Sequence, residues 1–587
     1  MKRKIWLAWV CCVVAVVANG RSETEDEKFL GLVDRIWSWN LEQFPERCAY
    51  LGKREGLDRW TDRSFEAIEA RKAKTREFLA ELEAMDRDAL SDRWKLDYDL
   101  LLRDYRQSVE GQRFPDEVLV LTQLGGVHSG LTRLMEVVPA ERAEDFDAAL
   151  TRLKTYPDVV DQHIALLKRG LELGVTPPRV TLVTVPDQID ALLTDESIEN
   201  PILAPFRKDA PLLSEAEREA YREKGVAVLK ESVLPALRKF RAFVTETYLP
   251  GARETISMAE LPDGEAWYAF SAKASTTTSY TPEEIHRIGL REVERIGREM
   301  EAVIARAGFE GDRKAFEEFL LEDPKFFAKT PEELLAGYRD IAKRADAELP
   351  RLFSRLPELP YGVRAIPDFQ APASPTAYYY SGSMEAGRAG YFMANTSHLD
   401  KRPKWQMEAL TLHEAVPGHH LQIALAKEVD DKPDLLRERG YTAFGEGWGL
   451  YAESLGKEMG FYTDPYSDYG RLTFEIWRAC RLVVDTGMHA LGWTRQQAID
   501  FMRENTAMSD HDIKVEVDRY IVWPGQALAY KMGELKIQEL RRRAEEALGD
   551  DFDIRAFHDV VLGAGGVPLD VLEVRVDEWI ARRKGAE

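Results

Sequence analysis

Helix-start signals recur along this chain and constrain its fold more than any other feature. In each signal a Ser or Thr is followed three residues later by Glu or Gln, so the two residues can cap each other reciprocally at the first turn of a helix. These pairs are Ser214 with Glu217, Thr281 with Glu284, Thr330 with Glu333, and Thr494 with Gln497. In two of them a proline follows at the first helical position, where its missing N–H would have had no intrahelical partner. The sequence therefore predicts a mostly helical protein.

The spacing of apolar residues extends this helical prediction, and strand signals are few. Helices are predicted over residues 65–85, 90–109, 145–173 and 405–416, and strands over residues 179–185 and 390–396. Residues 357–382 contain five prolines, which predicts a long irregular loop of the kind that often carries function. We expect a mostly α fold with a small β element, in which a helical N-terminal region (residues 21–271) and a C-terminal region (residues 279–587) face each other as two lobes across a cleft.

The first twenty residues have the organisation of a signal peptide. Lys2, Arg3 and Lys4 form a positive start, residues 5–17 are apolar, and small residues precede a cleavage point after Gly20. The alternative is a membrane anchor, but thirteen apolar residues are fewer than the roughly 20 that a membrane-spanning helix needs. We therefore predict a soluble exported protein, periplasmic or secreted, with no stable membrane insertion after cleavage.

The charge and cysteine content exclude two further classes of protein. The chain of 587 residues has 80 Lys and Arg against 102 Asp and Glu, a net charge of -22, and its basic residues are scattered. Nucleic acid is therefore not expected as a partner. After signal cleavage only Cys48 and Cys480 remain, which allows either one long-range disulfide or two unpaired buried thiols and excludes a cysteine-based zinc ribbon.

A cluster of histidines lies at residues 413–420, which read HEAVPGHH. The chain has ten histidines, and three of them fall within these eight residues, with Glu414 directly after the first. Neutral imidazole is the commonest metal ligand, and a glutamate beside a ligating histidine on a helix is the usual general base of a zinc hydrolase. The alternative is a buried helix with hydrogen-bonded core histidines, although such burial is costly unless every polar group is satisfied. We therefore predict a zinc-dependent hydrolase with Glu414 as its base.

Helical geometry favours His413 and His420 as the two histidine ligands. In an unbroken α-helix, positions seven apart are separated by about 700°, roughly 20° short of two full turns, so these side chains share a face while His419 points away. Pro417 distorts the helix, because its ring clashes with the carbonyl of His413 and it lacks a backbone donor. His419 therefore remains the alternative to His420 as a ligand.

Two carboxylates downstream offer the third ligand that a catalytic zinc needs. Glu446 and Glu453 are seven residues apart and lie on one face of a predicted helix. We predict Glu446 as the ligand, because the glycines on either side of it allow close approach of neighbouring backbone, and Glu453 as a residue that orients a ligating imidazole. The alternative is a pair of ordinary surface glutamates. Two imidazoles and one carboxylate suit zinc well.

Further groups near the C-terminal end are of the type that stabilises an oxyanion. Tyr520 and His511 are predicted to assist catalysis, while Tyr530 and Lys531 are predicted to contact the substrate. Arg388, just before the second predicted strand, is of the type that receives a substrate carboxylate. Core tyrosines and a surface or structural arginine are the alternatives at these positions.

At these residues the chain resembles the bacterial family called domain of unknown function 885, whose hallmark is an HEAVPGHH-type run. The resemblance extends to EGWGLYAE at residues 446–453 and PGQALAYK at residues 524–531, and it covers most of the chain after the signal peptide. A more distant likeness points to helical zinc peptidases of the angiotensin-converting-enzyme and Taq-carboxypeptidase type. The segment from His420 is similar to that around their second histidine ligand, and Arg519-Tyr520 is similar to their Arg-Tyr pair. The three extra residues between the histidines are the departure from their HExxH pattern.

This resemblance implies a two-lobed helical fold with a deep cleft in which peptide bonds are hydrolysed. Glu414 would activate water at the metal, while Tyr520, helped by His511, would hold the developing negative charge. The strand at residues 390–396 would align an extended peptide by backbone pairing.

We therefore expect an exported zinc metallopeptidase that acts on short peptides. A zinc-dependent amidase or esterase would use the same groups on another carbonyl, and a non-catalytic periplasmic peptide-binding protein would use a metal only for structure, if at all. A structural site has no use for a base beside its ligand, so Glu414 argues against the last alternative. Nothing in the sequence predicts an oligomeric state.

Overall fold

The computed structural model describes residues 23–367, 371, 374–384, 387–429 and 432–585, so the predicted signal peptide lies outside the described residues. Residues 23–276 are mainly helical. Their helices are α1 (Glu25–Gln43), α2 (Glu46–Tyr50), α3 (Phe65–Glu83), α4 (Asp92–Gly111), α5 (Val127–Val137), α6 (Ala143–Leu173), α7 (Arg179–Leu182), α8 (Val185–Leu193), α9 (Ala204–Arg207), α10 (Glu215–Val228), α11 (Leu234–Phe243), α12 (Leu249–Gly251) and α13 (Gly264–Thr276).

The rest of the chain adds three short strands to a second set of helices. In order these elements are α14 (Pro282–Arg306), α15 (Arg313–Glu322), α16 (Pro331–Leu352), β1 (Tyr361–Ala365), β2 (Ala377–Tyr380), β3 (Gly390–Ala394), α17 (Met407–Glu414), α18 (His419–Lys427), α19 (Asp434–Arg437), α20 (Thr442–Leu455), α21 (Pro465–Ala490), α22 (Arg495–Asn505), α23 (Asp510–Val522), α24 (Ala529–Leu548), α25 (Ile554–Leu562) and α26 (Leu569–Lys584). The prediction of a mostly α fold with a small β element is confirmed.

Local signals located the helix boundaries well. The four helices predicted from apolar spacing correspond to α3, α4, α6 and α17, each within two residues at either end. Reciprocal capping boxes form at Ser214, Thr281 and Thr494. At Thr330 only half of the box forms, because Glu333 accepts instead from the backbone N–H of Lys329 at 2.8 Å.

The predicted strand at residues 179–185 is wrong, since this segment forms α7 and the start of α8. Its buried apolar side chains are Leu182 and Val185, followed by Ile189. Spacings of three and four residues place them on one helical face, whereas a strand would bury every second residue. In the sequence, the six β-branched or apolar residues after Arg179 do not distinguish the two periods.

The sheet has the strand order β1-β3-β2, with β1 parallel and β2 antiparallel to β3. The predicted strand at residues 390–396 is confirmed as β3, but the predicted irregular loop is partly wrong, because β1 and β2 form within it between its prolines. Since β3 is the central strand, both of its edges are already paired. The prediction that this strand pairs with a substrate is therefore wrong, and β2 is an edge strand in the described part of the sheet.

The long helix α21 lies at the centre of the C-terminal region. All but a few of its residues are buried, and it contacts α14, α17, α20 and α24. The sheet packs against α17 and α18, with Phe392 in the same apolar cluster as Leu412 and Trp448. Helices α17 and α18, which flank the histidine run, therefore contact both the sheet and α20, the helix that carries the predicted glutamates.

The N-terminal and C-terminal regions share apolar clusters, so they pack directly on each other. Leu100 of α4 packs in the cluster of the C-terminal region, and Leu436 of α19 packs among the first helices of the chain. Cys48 and Cys480 are buried free thiols, which confirms the alternative without a disulfide. None of the described helices is both long and apolar enough to cross a membrane. The division into two lobes around a deep cleft stays a prediction.

Candidate metal centre

The histidine run is a break between two helices. Helix α17 ends at Glu414 and α18 begins at His419, with four non-helical residues between them. A Cβ on Gly418 would lie 2.0 Å from the carbonyl oxygen of His413, so only glycine permits this close approach. The indole N–H of Trp448 donates to the carbonyl of Pro417 at 2.8 Å and holds the linker in place. The angular count from His413 to His420, which assumes a continuous helix, therefore does not apply.

The structure brings His413, His419 and Glu446 together. Glu446 Oε2 lies 3.8 Å from His413 Nε2 and 3.6 Å from His419 Nε2, and one ligand atom of each residue lies within 4.8 Å of the others. Two ligands of a tetrahedral zinc ion at about 2.0–2.1 Å would be roughly 3.3–3.4 Å apart. The three side chains therefore need only small movements to bind one ion.

His420, predicted as the second ligand, does not join the cluster in the structure, and the alternative, His419, lies there instead. Nδ1 of His420 is 2.9 Å from the hydroxyl of Tyr379 on β2, and its ring packs on Tyr361 of β1 with centroids 4.5 Å apart. Burial lowers the pKa of His420 to about 4, which keeps the imidazole neutral. His420 joins the sheet to α18.

Glu453 orients the first histidine of the cluster. Its Oε1 accepts from Nδ1 of His413 at 2.8 Å, and both side chains are buried. This bond leaves Nε2 of His413 facing Glu446, as a metal ligand requires. Both glutamates lie on α20, two turns apart, in agreement with the spacing argument. The helix passes close to the imidazole, since a Cβ on Gly449 would lie 2.6 Å from Cε1 of His413.

The carboxylates make the cluster attractive to positive charge. Burial opposes protonation of His413, but the neighbouring carboxylates of Glu446 and Glu453 outweigh burial and raise its pKa to about 10. Burial likewise opposes ionisation of Glu446, but His413 and His419 hold its pKa far below the usual range. A divalent cation would satisfy the same carboxylates more fully than a proton on one ring.

Glu414 is the one acid of the histidine run, and its carboxylate is available. The side chain is 8% exposed, and none of the residues in the described ranges forms a hydrogen bond or an ion pair with it. It follows His413 directly and acts on the charge of that imidazole. A buried carboxylate is normally paired, so this group is available to act on a ligand.

The predicted oxyanion donors are not equivalent in the structure. The buried hydroxyl of Tyr520 donates to Glu516 at 2.7 Å and accepts from Arg481 and Trp477. It is therefore committed to a structural network. His511 is exposed in the first turn of α23. Tyr530 is half-buried on α24, and its hydroxyl has no partner among the described residues.

The remaining predicted substrate contacts also differ from one another. Lys531 is fully buried and pairs with Glu475 at 2.8 Å, Glu534 at 2.7 Å and Glu292 at 3.2 Å. Its charge is satisfied inside the core, so it is a structural residue and its prediction as a substrate contact is corrected. Arg388 is exposed in the turn between β2 and β3, with its guanidinium over the ring of Tyr380. Its substrate role stays a prediction.

Sequence reasoning missed two arginines of α21. Arg478 and Arg481 are 7% and 3% exposed, and the charge of Arg478 is influenced by Glu453 and Glu446. The side chain of Arg478 therefore lies near the candidate metal cluster, and Arg481 lies beside Arg478 on the ring of Trp477. The signal available in the sequence was a run of arginines at helical spacing in an otherwise apolar helix, which is costly unless each charge has a partner.

The comparisons with known proteins place the chain in a family. The sequence model of the family described as "Bacterial protein of unknown function (DUF885)" matches residues 45–576. This chain belongs to the DUF885 family. The resemblance recognised from the histidine run is confirmed. No curated protein is significantly similar to this DUF885 chain.

Two solved structures share the fold of this DUF885 chain. A protein from Colwellia psychrerythraea, described as a "putative lipoprotein", is 27% identical with a TM-score of 0.91, and the match covers 95% of this chain and 100% of that one. A "putative lipoprotein of unknown function" from Shewanella oneidensis is 17% identical with a TM-score of 0.71, and the match covers 94% and 99% of the two chains. The second likeness concerns the fold alone.

Proposed function

We propose that this protein is a zinc-dependent metallopeptidase that hydrolyses short peptides. The observation that carries the proposal is the convergence of His413, His419 and Glu446 within 4.8 Å, with Glu453 orienting the first imidazole. Two imidazoles and a carboxylate are costly to bury together unless a proton or a metal ion satisfies them. Glu414 beside the cluster adds a free carboxylate, which a purely structural metal site would not need.

The donor set fits zinc. Two imidazole nitrogens and one carboxylate oxygen form a common set of catalytic zinc ligands, and a carboxylate hydrogen-bonded to a ligating histidine is the usual supporting contact. When bound, zinc would polarise the scissile carbonyl and make water more acidic. His413 and His419 would bind through Nε2, the atoms that face Glu446.

The chain's own residues then have separate roles. Glu414 takes a proton from the attacking water and returns it to the leaving amine, since none of the described residues pairs with its carboxylate. The Tyr530 hydroxyl donates to the developing oxyanion. Tyr530 is one helical turn before Gly533, where α24 is in backbone contact with Gly447 of α20, next to Glu446.

An extended peptide has a suitable edge beside this cluster. Within the described residues, β2 is paired on one side only, and Tyr379 of β2 contacts His420, the neighbour of His419. Backbone pairing with an edge strand is a common way to hold an extended peptide. This edge supports a peptide substrate over a small ester or amide.

Export to the cell envelope is part of the proposal. Its support is the signal-peptide organisation of residues 1–20 and the relation to a protein described as a putative lipoprotein. The finer location, periplasmic or secreted, follows from the predicted cleavage after Gly20.

Metal analysis of the purified protein beside Glu414→Gln tests the proposal. We expect about one zinc per chain in both proteins, cleavage of a short-peptide library by the wild type, and a loss of rate of about 10²- to 10⁴-fold in the variant, the usual contribution of a general base. A wild type that binds no stoichiometric metal contradicts the mechanism. A zinc-loaded wild type that cleaves esters or non-peptide amides but no peptide favours the amidase or esterase alternative.

A further inference from the structure

Two buried guanidinium groups beside the candidate metal centre have N–H donors without acceptors. Arg478 and Arg481 lie on α21 and are 7% and 3% exposed. Of the described residues, none offers an acceptor to Nε of Arg478 or to Nη1 of Arg481. A buried charged donor left unsatisfied costs more than a neutral one, so such atoms indicate a missing partner.

The shortage of acceptors is specific to this part of the helix. Arg471, two turns before Arg478, pairs with Asp468 at 2.9 Å and with Glu475 at 3.0 Å. Arg478 itself donates only to the carbonyl of Phe474, at 3.3 Å. The described residues therefore provide carboxylate partners for Arg471 but none for Arg478, although both arginines are buried on α21.

Aromatic rings hold both guanidinium groups but do not satisfy their donors. The guanidinium carbons of Arg478 and Arg481 lie 4.5 Å and 4.4 Å from the ring of Trp477, and Arg481 also lies 4.5 Å from the ring of Tyr530. Contacts with ring faces cover the flat sides of a guanidinium. Its N–H bonds point outward in the plane, where a planar carboxylate can accept two of them.

The local charge also favours an anion. Arg481 shares Glu516 with Arg519, at 3.3 Å and 2.9 Å, so two guanidinium groups compete for one carboxylate. Arg478 adds a third positive charge without an ion pair to any described residue. A divalent ion at the neighbouring cluster would add further positive charge.

We propose that Arg478 and Arg481 form a binding site for a carboxylate of the substrate, beside the metal cluster. This inference rests on the proposed function and narrows its substrate class. The substrate is a short peptide with a carboxylate close to the scissile bond, either its C-terminus or an acidic side chain. Tyr530, the proposed oxyanion donor, touches Arg481.

Binding to metal-free protein tests this proposal without relying on catalysis. Three probes are titrated by calorimetry: N-acetyl-trialanine with a free C-terminus, its C-terminal amide, and the amide of acetyl-Ala-Glu-Ala. The proteins are the wild type, Arg478→Gln, Arg481→Gln, and Arg495→Gln as the control. Arg495 is a partly buried arginine on α22 that pairs with Asp518. All proteins are checked by thermal unfolding.

We expect a carboxylate-bearing probe to bind the wild type and the control at least about tenfold more tightly than the trialanine amide, as a charge-assisted hydrogen bond implies. Arg478→Gln should abolish that preference with little change of melting temperature, because among the described residues Arg478 donates only to the carbonyl of Phe474. Arg481→Gln should abolish the preference and also lower the melting temperature, because Arg481 donates to Tyr520 and Glu516. Preference for the free C-terminus identifies a terminal carboxylate, and preference for the Glu probe identifies a side chain. Equal binding of all probes, no binding, or a preference that persists in Arg478→Gln overturns the proposal.

The two proposals fail in different ways. If the protein prefers the carboxylate-bearing probe but binds no zinc, the carboxylate site is supported and the proposed activity is contradicted. If the zinc-loaded protein cleaves peptides that carry a carboxylate and peptides that lack one at equal rates, the proposed activity is supported and the carboxylate site is contradicted.

Discussion

Replacing Gly449 with alanine should disable the candidate metal centre through a single methyl group. Gly449 lies on α20 beneath the imidazole of His413. A Cβ there would lie 2.6 Å from Cε1, 2.9 Å from Nε2 and 3.0 Å from Nδ1 of that ring. Carbon atoms in contact are about 3.5–4.0 Å apart, so the ring must retreat by roughly 1 Å.

The retreat of His413 has a predictable magnitude. It stretches the 2.8 Å hydrogen bond to Glu453 and moves Nε2 away from Glu446. Losing the orienting contact of a ligating histidine typically costs about 10- to 100-fold in metal affinity. Overpacking costs about 1–3 kcal/mol of unfolding free energy, but alanine in a helix regains about 0.5–1 kcal/mol relative to glycine. We therefore expect a large loss of zinc affinity with a small loss of stability.

Gly445→Ala is the matched control, because it adds the same methyl group to the same helix. The nearest atom to its Cβ would be Oε1 of Gln422, at 3.7 Å, an ordinary contact. Zinc affinity is measured by competition with a chromogenic chelator, and stability by chemical unfolding of the metal-free proteins. Equal zinc affinity in Gly449→Ala and Gly445→Ala would refute the placement of His413 as a ligand.

Three further predictions concern residues whose roles the structure separates. His419→Ala should lose zinc affinity by more than the about 10- to 100-fold typical of a supporting residue. His420→Ala should keep zinc and lose about 1–3 kcal/mol of unfolding free energy, because it removes the hydrogen bond with the half-buried Tyr379 hydroxyl and the ring contact with Tyr361. Chelator competition measures the first effect and chemical unfolding the second. Tyr530→Phe should lower kcat by about 10²- to 10³-fold, as expected for an oxyanion donor, whereas Tyr520→Phe should mainly lower stability, by about 1–3 kcal/mol. Burial raises the pKa of Asp485 from 3.8 to about 7, so the folded state holds this proton more tightly than the unfolded state does, and stability should fall as the pH rises from about 4 to 7, by on the order of 4 kcal/mol. Asp485→Asn should remove that part of the fall in unfolding curves recorded from pH 4 to 8.

Each of these predictions has a result that contradicts it. Zinc loss in His420→Ala with retention in His419→Ala would restore the ligand set derived from an unbroken helix. Loss of kcat in Tyr520→Phe alone would return the oxyanion role to that residue. A pH dependence of stability that is identical in wild type and Asp485→Asn would mean that the carboxylate, which accepts from Gly525 and Tyr268, titrates normally in the fold.

Features set by local sequence were predictable, because their causes lie within one or two helical turns. The capping residues Ser214 and Thr494 determine where α10 and α22 begin. The same holds for Glu446 and Glu453, since both lie on the continuous helix α20 and their spacing maps directly onto one face. For these features, the spacing of residues along the chain was enough to predict the structure.

Features set by distant contacts were not predictable from the same reasoning. His419 replaces His420 because the linker after Glu414 follows the close approach at Gly418 and the hydrogen bond from Trp448. Neither contact is visible in the order of residues from 413 to 420. The angular argument assumes that residues 413–420 form one continuous helix, whereas these tertiary contacts accompany an interruption of the helix between Glu414 and His419.

Roles that depend on which charges are already paired could not be predicted from the sequence either. Lys531 and Arg478 are both buried cations near the predicted site, but the first has three glutamate partners and the second has no ion pair among the described residues. Composition alone does not assign partners, because they come from different helices. Tyr520 and Tyr530 are ten residues apart, and their roles could not be separated from the sequence for the same reason. Within the described part of the chain, the Tyr520 hydroxyl is hydrogen-bonded and the Tyr530 hydroxyl is not.

Anomalous diffraction at the zinc absorption edge, from crystals of the protein grown with zinc, tests the central claim most directly. The account predicts one strong peak at bonding distance from Nε2 of His413, Nε2 of His419 and a carboxylate oxygen of Glu446, with His420 still bonded to Tyr379. No peak at this cluster, or a peak bound to His420 in place of His419, would contradict it.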